Sequence, residues 1–394
     1  MKKAIVGTIA TIGLAATAYV MNANKNQVLP GQEFSYVHEL MRTVEPLSLP
    51  EDSFQKQIES YRNAFTGSQT CSPGGANLID ITTGESYGIL PDASSRITQE
   101  QINEARDAIR QSGSDIANGS RLRHPFVINC DRASENMVNT IKNLEEKITG
   151  SWRNNRITAV PFNTYIQDTI KDSYIGRLQA QTGIDYIIQG IISVESGGNR
   201  HLVSRSGARG ALQIMPGTAQ ACNEEGNVFH RMAALECALF TLEQMGRVIR
   251  RSNGLQHANI SDEERTKLEL YLVIQSYNTG ATRVRREFDR YMQYVNQQER
   301  EQKPEQEIEQ PYTADQLMAG FNVYALTRPR NGFGPDATQY VRKVLAAAEI
   351  LKQHFEPPDE QIPTEQTRWE RMTEGAFRII DKYIIQKNNR ILGK

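Results

Sequence analysis

The sequence predicts a mainly α-helical fold that contains one small β-hairpin and is preceded by a mostly helical N-terminal region. Three features of the 394-residue chain support this prediction. Residues 184–194 form an almost unbroken apolar run, which is typical of a helix that is buried on all sides. Residues 233–250 and 264–277 carry apolar side chains at helical spacing. Residues 211–215 form a short alternating run that ends at Pro216, which indicates a strand.

The first 23 residues have the composition of an export signal. Lys2 and Lys3 precede an uncharged run from Ala4 to Met21, and residues 16–18 fit a cleavage site of small residues. The same run is just long enough to stay as an uncleaved membrane anchor. In both cases we expect the rest of the chain to lie outside the cytoplasm, in the periplasm or cell envelope.

Residues 24–155 are predicted to form an accessory region. Helical patterns over residues 97–112 and 133–148 predict two of its helices, and turn residues between 70 and 88 predict a short strand or hairpin. No motif in this region points to an activity. A scaffold for the domain that follows and a docking module for substrate or partner are therefore both open interpretations.

The charge balance excludes a strongly basic or acidic binding surface for the chain as a whole. Lys and Arg number 45 against 46 Asp and Glu, so the overall field favours neither nucleic acid nor an anionic membrane. The six histidines are scattered and show no metal-binding spacing. We therefore expect no metal, no cofactor and no nucleic-acid partner.

The C-terminal residues 358–394 are predicted to contain an amphipathic helix. Such a helix either packs on its own protein or lies on a membrane or partner surface. We expect contact with a membrane only through this helix or through an uncleaved N-terminus.

Glu195 is the candidate catalytic residue. It stands at the end of the apolar run, and Gly197 and Gly198 after it are residues at which a helix is expected to end. A carboxyl group at the edge of an apolar helix loses hydration, which favours its protonated form. Such an acid can donate a proton near neutral pH, as cleavage of a glycosidic bond requires.

The residues after Glu195 form a glycine-rich approach to the predicted strand. Gly207 and Gly210 indicate a backbone that turns tightly or lies close to a ligand. From a strand at residues 211–215, the side chain of Gln213 is expected to point toward Glu195. The alternative interpretation is a buried helix with an incidental glutamate, followed by an ordinary hairpin.

Further motifs follow Glu195 in a fixed order. They are ESGGN at 195–199, S-x-x-GA-x-G at 204–210, LQIMPGTA at 212–219, SYNTG at 276–280 and PDATQYV at 335–341. Together they resemble the catalytic domain of the soluble lytic transglycosylase family, the goose-type-lysozyme-like murein transglycosylases. The resemblance covers about half of the chain, and it implies a lysozyme-like catalytic domain at residues 160–357.

The resemblance also implies roles for individual residues. Glu195 matches the single catalytic acid and base of the family, and Tyr340 matches a late tyrosine near that glutamate. The predicted substrate-binding residues are Ser196, Ser204, Gln213, Met215, Tyr277, Asn278 and Tyr340. One departure is Ala211-Leu212, where the family usually has two bulky residues before the glutamine. A smaller residue at this position is expected to reshape one sugar subsite.

Family membership implies a substrate and a reaction. The substrate is the glycan strand of peptidoglycan, cleaved between N-acetylmuramic acid and N-acetylglucosamine with formation of a 1,6-anhydro ring. Glu195 would act first as acid and then as base, because most hydrolysing glycosidases need a second carboxylate and none stands in a catalytic position in the matched motifs.

Two alternatives stay open from the sequence. One is a goose-lysozyme-type hydrolase, which requires an additional Asp or Glu across from Glu195. The other is a non-catalytic glycan-binding component of an envelope-spanning machine. A secretion, conjugation or phage apparatus is the partner that flanking regions of this kind suggest, by analogy alone.

Four cysteines fit an exported protein. Cys222 and Cys237 enclose a short loop and form one candidate disulfide, which leaves Cys71 and Cys130 as the second. Three pairings are available in principle, and free buried thiols are the remaining alternative.

Overall fold

The computed structural model describes residues 52–68, 76–80, 86–90, 125–152, 155–223, 227–302, 311–327, 333 and 335–357. The predicted export signal, the predicted helix at 97–112 and the C-terminal helix at 358–394 lie outside these residues. The chain divides into two compact units, Met1–Leu351 and Lys352–Lys394. Only residues 352–357 of the second unit are described. All contacts discussed below belong to the first unit.

Helices dominate the described residues, which confirms the predicted fold class. The helices are α1 (Ser53–Thr66), α2 (Cys130–Glu145), α3 (Phe162–Ile170), α4 (Tyr174–Thr182), α5 (Ile187–Ser196), α6 (Pro216–Ala221), α7 (Arg231–Ile249), α8 (Asn253–Gln256), α9 (Asp262–Thr279), α10 (Ala281–Gln302), α11 (Ala314–Thr327), α12 (Pro335–Thr338) and α13 (Tyr340–Phe355). The strands are β1 (Ala76–Asp80), β2 (Ser86–Leu90), β3 (Pro125–Asn129), β4 (Lys147–Trp152) and β5 (Asn155–Pro161).

The strands form two small antiparallel sheets. In the first, β1 lies between β2 and β3, with Ala76 opposite both Leu90 and Asn129. This sheet includes the predicted strand region near residue 80 and adds a third strand that the sequence did not indicate. In the second, β4 and β5 pair as a hairpin in which Lys147 is opposite Pro161. This hairpin lies at residues 147–161, and residues 211–215 form none.

Local sequence explains where the principal helices begin. Ser261 accepts a hydrogen bond from the Glu264 backbone N–H at 3.2 Å, and α9 then starts with three acidic residues that favour the positive end of the helix dipole. Ser173 caps α4 in the same way through Gly176 N–H at 3.1 Å. This cap separates α4 from α3, so residues 162–182 form two helices.

Helix α10 was not predicted as an element, although its sequence is strongly amphipathic. Val284, Phe288, Tyr291 and Val295 recur at helical spacing and are completely buried. Phe288 contacts Phe321 of α11 edge to face, with ring centroids 5.3 Å apart. Charged residues on the opposite face separate these apolar residues in the sequence, so the helical spacing is not obvious from residue to residue.

Candidate active site

Helix α5 places Glu195 at the boundary between the core and solvent. The side chains of Ile187, Ile188, Ile191 and Ile192 are completely buried, so the helix is enclosed on all sides, as its sequence predicts. The Glu195 side chain lies in the last turn and remains partly exposed. A carboxyl group in this position is largely removed from water yet still reachable by a ligand.

Helix α13 brings Tyr340 against this carboxyl group. Helices α5 and α13 approach closely at Gly190, where an added Cβ would lie 2.5 Å from the Val344 carbonyl oxygen. In the first turn of α13, the Tyr340 hydroxyl donates a hydrogen bond of 2.6 Å to Glu195 Oε1. The structure therefore brings together the two residues that the sequence motifs placed 145 positions apart.

The surroundings raise the pKa of Glu195 to about 7. Desolvation by burial is the largest cause, and the hydrogen bond from Tyr340 opposes it because it stabilises the carboxylate. The negative charge of Asp336 raises the pKa further, and the positive charge of Lys343 lowers it. Glu195 can therefore hold a proton near neutral pH and can also release it, as predicted for an acid that later acts as a base.

The two tyrosines near Glu195 stay neutral hydroxyl donors. Burial raises the pKa of Tyr340 well above its ordinary value, and the charge of Glu195 adds to the effect. The pKa of Tyr277, at the end of α9, is raised by the same two causes. The Tyr277 hydroxyl donates 2.7 Å to the Leu212 carbonyl oxygen and so holds the loop that follows Glu195.

The prediction that Gln213 lies in a strand is wrong. Gln213 has a φ of 47°, and residues 203–214 form only isolated bridges, Val203 with Arg209 and Arg209 with Ile214. Ala211 and Leu212 are buried in succession, so the run does not alternate as a half-exposed strand would. The Gln213 side-chain amide donates to the Leu202 carbonyl at 3.1 Å and to the Gly210 carbonyl at 2.8 Å, which stabilises a turn.

The hydroxyl groups predicted to contact substrate also shape this loop. Ser196 donates to the Ala211 carbonyl at 2.7 Å and thereby ties the end of α5 to the loop. Ser204 accepts from the Ala208 N–H at 2.9 Å. These bonds stabilise the loop that follows Glu195, while contacts of the two side chains with sugar stay predictions.

Other predicted substrate residues lie on the surface. Asn278 follows Tyr277 directly and is exposed. Met215 is 44% exposed and Val203, which the motifs did not mark, is 53% exposed. Both are large apolar side chains that the residues after Glu195 leave exposed.

Two charged residues near Glu195 were missed by the sequence analysis. Asp336 lies in α12 and Lys343 lies in α13, and their side chains form an ion pair. Asp336 belongs to the PDATQYV motif, where only the tyrosine was assigned a role. Its place in the same short motif, four residues before Tyr340, is the signal that could have revealed it.

A disulfide pins the region after the loop. Cys222, at the end of α6, is bonded to Cys237 of α7, which confirms this predicted pair. Cys130 at the start of α2 is also disulfide-bonded. Its predicted partner, Cys71, lies outside the described residues. Within the part of the chain that the structure describes, no cluster of His, Cys, Asp or Glu could hold a metal ion.

The family model for the Transglycosylase SLT domain matches residues 173–298. This segment contains α5 with Glu195, the loop that follows it and α9 with Tyr277. Residues 173–298 are therefore similar to a transglycosylase SLT domain. A comparison with curated proteins finds no significant match.

The SLT match covers only part of the site described above. It begins at the cap of α4 and ends within α10, so it includes Glu195 and Tyr277. Tyr340, Asp336 and Lys343 lie after it, and α2 lies before it. An SLT domain indicates cleavage of glycan strands of the lytic transglycosylase type in general. Among the described helices, none is both long and apolar enough to cross a membrane.

Proposed function

We propose that the protein is a murein lytic transglycosylase that cleaves the β-1,4 bond between N-acetylmuramic acid and N-acetylglucosamine. The product carries a 1,6-anhydro-N-acetylmuramic acid end. The observation that carries the proposal is the contact of Glu195, whose pKa is about 7, with the hydroxyl of Tyr340 at 2.6 Å. This arrangement suits one carboxyl group to act in two successive proton transfers.

In the first step, protonated Glu195 donates its proton to the glycosidic oxygen. The bond from that oxygen to C1 of the muramyl residue breaks, the N-acetylglucosamine leaves with a free 4-hydroxyl, and positive charge develops at C1. The Tyr340 hydroxyl favours this step because its hydrogen bond stabilises the carboxylate that forms.

In the second step, the Glu195 carboxylate removes the proton of the muramyl 6-hydroxyl. The oxygen of that group bonds to C1 and closes the 1,6-anhydro ring, and Glu195 returns to its protonated form. No water is consumed and no second carboxylate is needed. A group with a pKa near the working pH is efficient in both directions of proton transfer.

The loop after Glu195 would orient the sugar for these steps. Its backbone is fixed by the Tyr277 hydroxyl and the Gln213 side chain. The exposed apolar side chains of Val203 and Met215 offer a surface for the apolar face of a pyranose ring. We assign Ser204 and Asn278 to hydrogen bonds with the sugar, on the resemblance of their motifs to the family.

One observation favours a second candidate, a hydrolase of the goose-lysozyme type. Asp336 is a carboxylate close enough to Glu195 to affect its pKa, and a hydrolase needs a second carboxylate to activate water or attack the sugar. Asp336 is 82% exposed, however, and its charge is paired with Lys343. This pairing disfavours a role as base or nucleophile.

Mass spectrometry of muropeptides released from purified cell wall decides between these functions. We expect products that end in anhydro-muramic acid, which are lighter than reducing-end products by one water. Reducing-end products would instead establish hydrolysis and direct attention to Asp336. If folded protein releases nothing, the non-catalytic glycan-binding alternative replaces both.

The variant Glu195→Gln tests the assignment of the acid. We expect its release of muropeptides to fall by about a thousandfold or more, since general acid and base catalysis together are removed. Its circular dichroism spectrum and its binding to insoluble wall should match the unchanged protein. Cleavage at a near-normal rate by this variant would show that another group is the acid.

We further propose that the protein acts in the cell envelope, because its substrate lies there. The predicted association with a secretion, conjugation or phage apparatus stays a prediction from the sequence.

A further inference from the structure

The turn that follows Glu195 lies directly on helix α2, which is outside the SLT match. Gly197 ends α5 in the left-handed conformation with a φ of 58°, and Gly198 follows with a φ of 80°. Their N–H groups donate back to the Ser193 and Ile192 carbonyl oxygens, at 3.0 and 3.4 Å. The Gly197-Gly198 turn therefore fixes the position of the C-terminal end of α5, which carries Glu195.

Helix α2 leaves no space for a side chain at either glycine. A Cβ added to Gly197 would lie 2.8 Å from Asn136 Oδ1, and one added to Gly198 would lie 2.9 Å from Thr140 Cα and 3.0 Å from the Asn139 carbonyl oxygen. The contact at Gly198 is with backbone, which cannot rotate out of the way. The turn is therefore seated on the surface of α2 at two consecutive residues.

Helix α2 is itself held firmly at both ends. Cys130 at its start is disulfide-bonded, and Met137, Thr140 and Leu144 are buried along one face. After its end, Glu146 forms an ion pair with the buried Arg231 of α7, and the Glu146 carbonyl accepts from the Phe162 N–H at 3.1 Å. A helix restrained in this way can act as a rigid support for the turn.

We propose that α2 is a positioning element of the active site, in which Asn136 and the backbone at Asn139–Thr140 set the position of Glu195 through the Gly197-Gly198 turn. The accessory region is then part of the catalytic unit rather than a separate docking module. This inference rests on the proposed function of Glu195, and α2 itself makes no contact with the reacting atoms in this proposal.

The rate of the proposed reaction should depend strongly on how α2 positions Glu195. A misplacement of a catalytic group by about 1 Å can lower a rate by roughly a hundredfold. Glu195 must reach the glycosidic oxygen in one step and the 6-hydroxyl in the next, while it keeps its bond of 2.6 Å to Tyr340. A displaced turn would also expose the carboxyl group to more water and lower its pKa toward the ordinary value.

The variants Gly198→Ala and Gly183→Ala form a matched pair that tests the contact. Gly183 ends α4 with a φ of 68°, and a Cβ added there meets no atom within 4 Å. Both variants strain the backbone, but only Gly198→Ala also presses on α2. For Gly198→Ala we expect kcat to fall by about tenfold to a hundredfold with KM changed by less than about threefold. Gly183→Ala should keep kcat and lose only thermal stability. Equal kcat values for the two folded variants would overturn the proposal.

A double-mutant cycle between Asn136 and Gly197 gives a second test. Gly197→Ala pushes its new methyl group against Asn136, and Asn136→Ala removes the two nearest atoms that it meets, Oδ1 and Cγ. We expect the double variant to be more active than Gly197→Ala alone, which is a coupling that separate structural effects would not produce. Purely additive losses of kcat would contradict a contact that positions Glu195.

A readout independent of activity separates this inference from the proposed function. The carboxyl carbon of Glu195 can be titrated by NMR in the absence of substrate. We expect Gly198→Ala to lower its pKa from about 7, while Gly183→Ala leaves it unchanged. If the unchanged protein releases no anhydro-muropeptides, the proposed function fails. If it does release them but the Glu195 pKa is the same in all variants, only the role of α2 fails.

Discussion

Two regions of the molecule act on Glu195 in different ways. Helix α5, within the SLT match, supplies the carboxyl group and carries it to a buried position, where desolvation raises its pKa. Helices α12 and α13, after the match, supply a hydroxyl donor and two opposite charges, through Tyr340, Asp336 and Lys343. The first region makes the group a strong candidate for a proton donor, and the second adjusts how readily it gives the proton up.

The difference shows that the segment matched by the family model does not contain all the groups that act on Glu195. The apolar run that makes α5 a buried helix with Glu195 at its end is a local feature of the sequence. The contributions of α12 and α13 depend on a contact that spans 145 positions in the chain. The contributions to the Glu195 pKa can be tested one at a time, in the order burial, hydrogen bond and ion pair.

The largest effect is expected for the burial of Glu195, measured as stability. The pKa is about 7 in the folded protein against 4.5 for the ordinary group, so the unfolded chain loses its proton first as the pH rises. Below pH 4.5 both states are protonated and there is no penalty. As the pH rises from 4.5 to 7, the free energy of unfolding falls. Above pH 7 the loss reaches its full size of about 3 kcal/mol.

The variant Glu195→Gln should remove this dependence, because its side chain is neutral at every pH. The quantity to compare is the free energy of unfolding of the variant minus that of the unchanged protein. We expect this difference to be about 3 kcal/mol larger at pH 8 than at pH 4. Urea titrations at the two pH values measure the difference, and equal m-values would show that the unfolded states are comparable. A difference that does not change with pH would mean that burial does not raise the pKa.

The second effect concerns the hydrogen bond from Tyr340. Tyr340→Phe removes a donor to a charged acceptor, a bond that contributes about 2 kcal/mol, so we expect kcat to fall by roughly thirtyfold. The hydrogen bond lowers the pKa of Glu195, so its loss should raise that pKa. The limb of the pH–rate profile that reports the titration of Glu195 should therefore move above pH 7.

Tyr277→Phe is the matched control for this change. Its hydroxyl donates to the Leu212 carbonyl and not to Glu195. We therefore expect it to lower the rate through the loop while leaving that limb of the profile in place. If both variants shift the profile equally, the hydrogen bond of Tyr340 is not what tunes Glu195.

Much of this site could be predicted from sequence because its main determinants are local. The apolar run predicted the buried helix, and the position of Glu195 at its end predicted a raised pKa, with which the structure agrees. The helix ends at the glycines that were expected to end it. These inferences need only the periodicity of one segment and the physical cost of burying a charge.

The parts that could not be predicted depend on contacts between distant segments. Gln213 was predicted to lie in a strand because residues 211–215 alternate in polarity. This pattern does not show that Ala211 and Leu212 are both buried against other segments. The contact between Gly198 and α2 joins residues almost sixty positions apart, and no local sequence pattern indicates it. Lys343 lies beyond the recognised motif, and its pairing with Asp336 depends on how α12 meets α13.

The smallest effect is expected for the ion pair of Asp336 and Lys343. Asp336→Asn leaves the positive charge of Lys343 unbalanced and should lower the pKa of Glu195. Lys343→Met leaves the negative charge of Asp336 unbalanced and should raise it. Because Asp336 is largely exposed, we expect each shift to be less than about one pH unit and to shrink as salt is added. The pH–rate profile at low and high ionic strength measures both.

The double variant sharpens this test, since it removes both charges and should return the profile close to that of the unchanged protein. Shifts of the same sign in the two single variants would show that they act through structure rather than charge. The product of Asp336→Asn carries further information. Anhydro-muropeptides formed at a near-normal rate would show that Asp336 only adjusts Glu195, whereas loss of cleavage would make Asp336 the second carboxylate of a hydrolase.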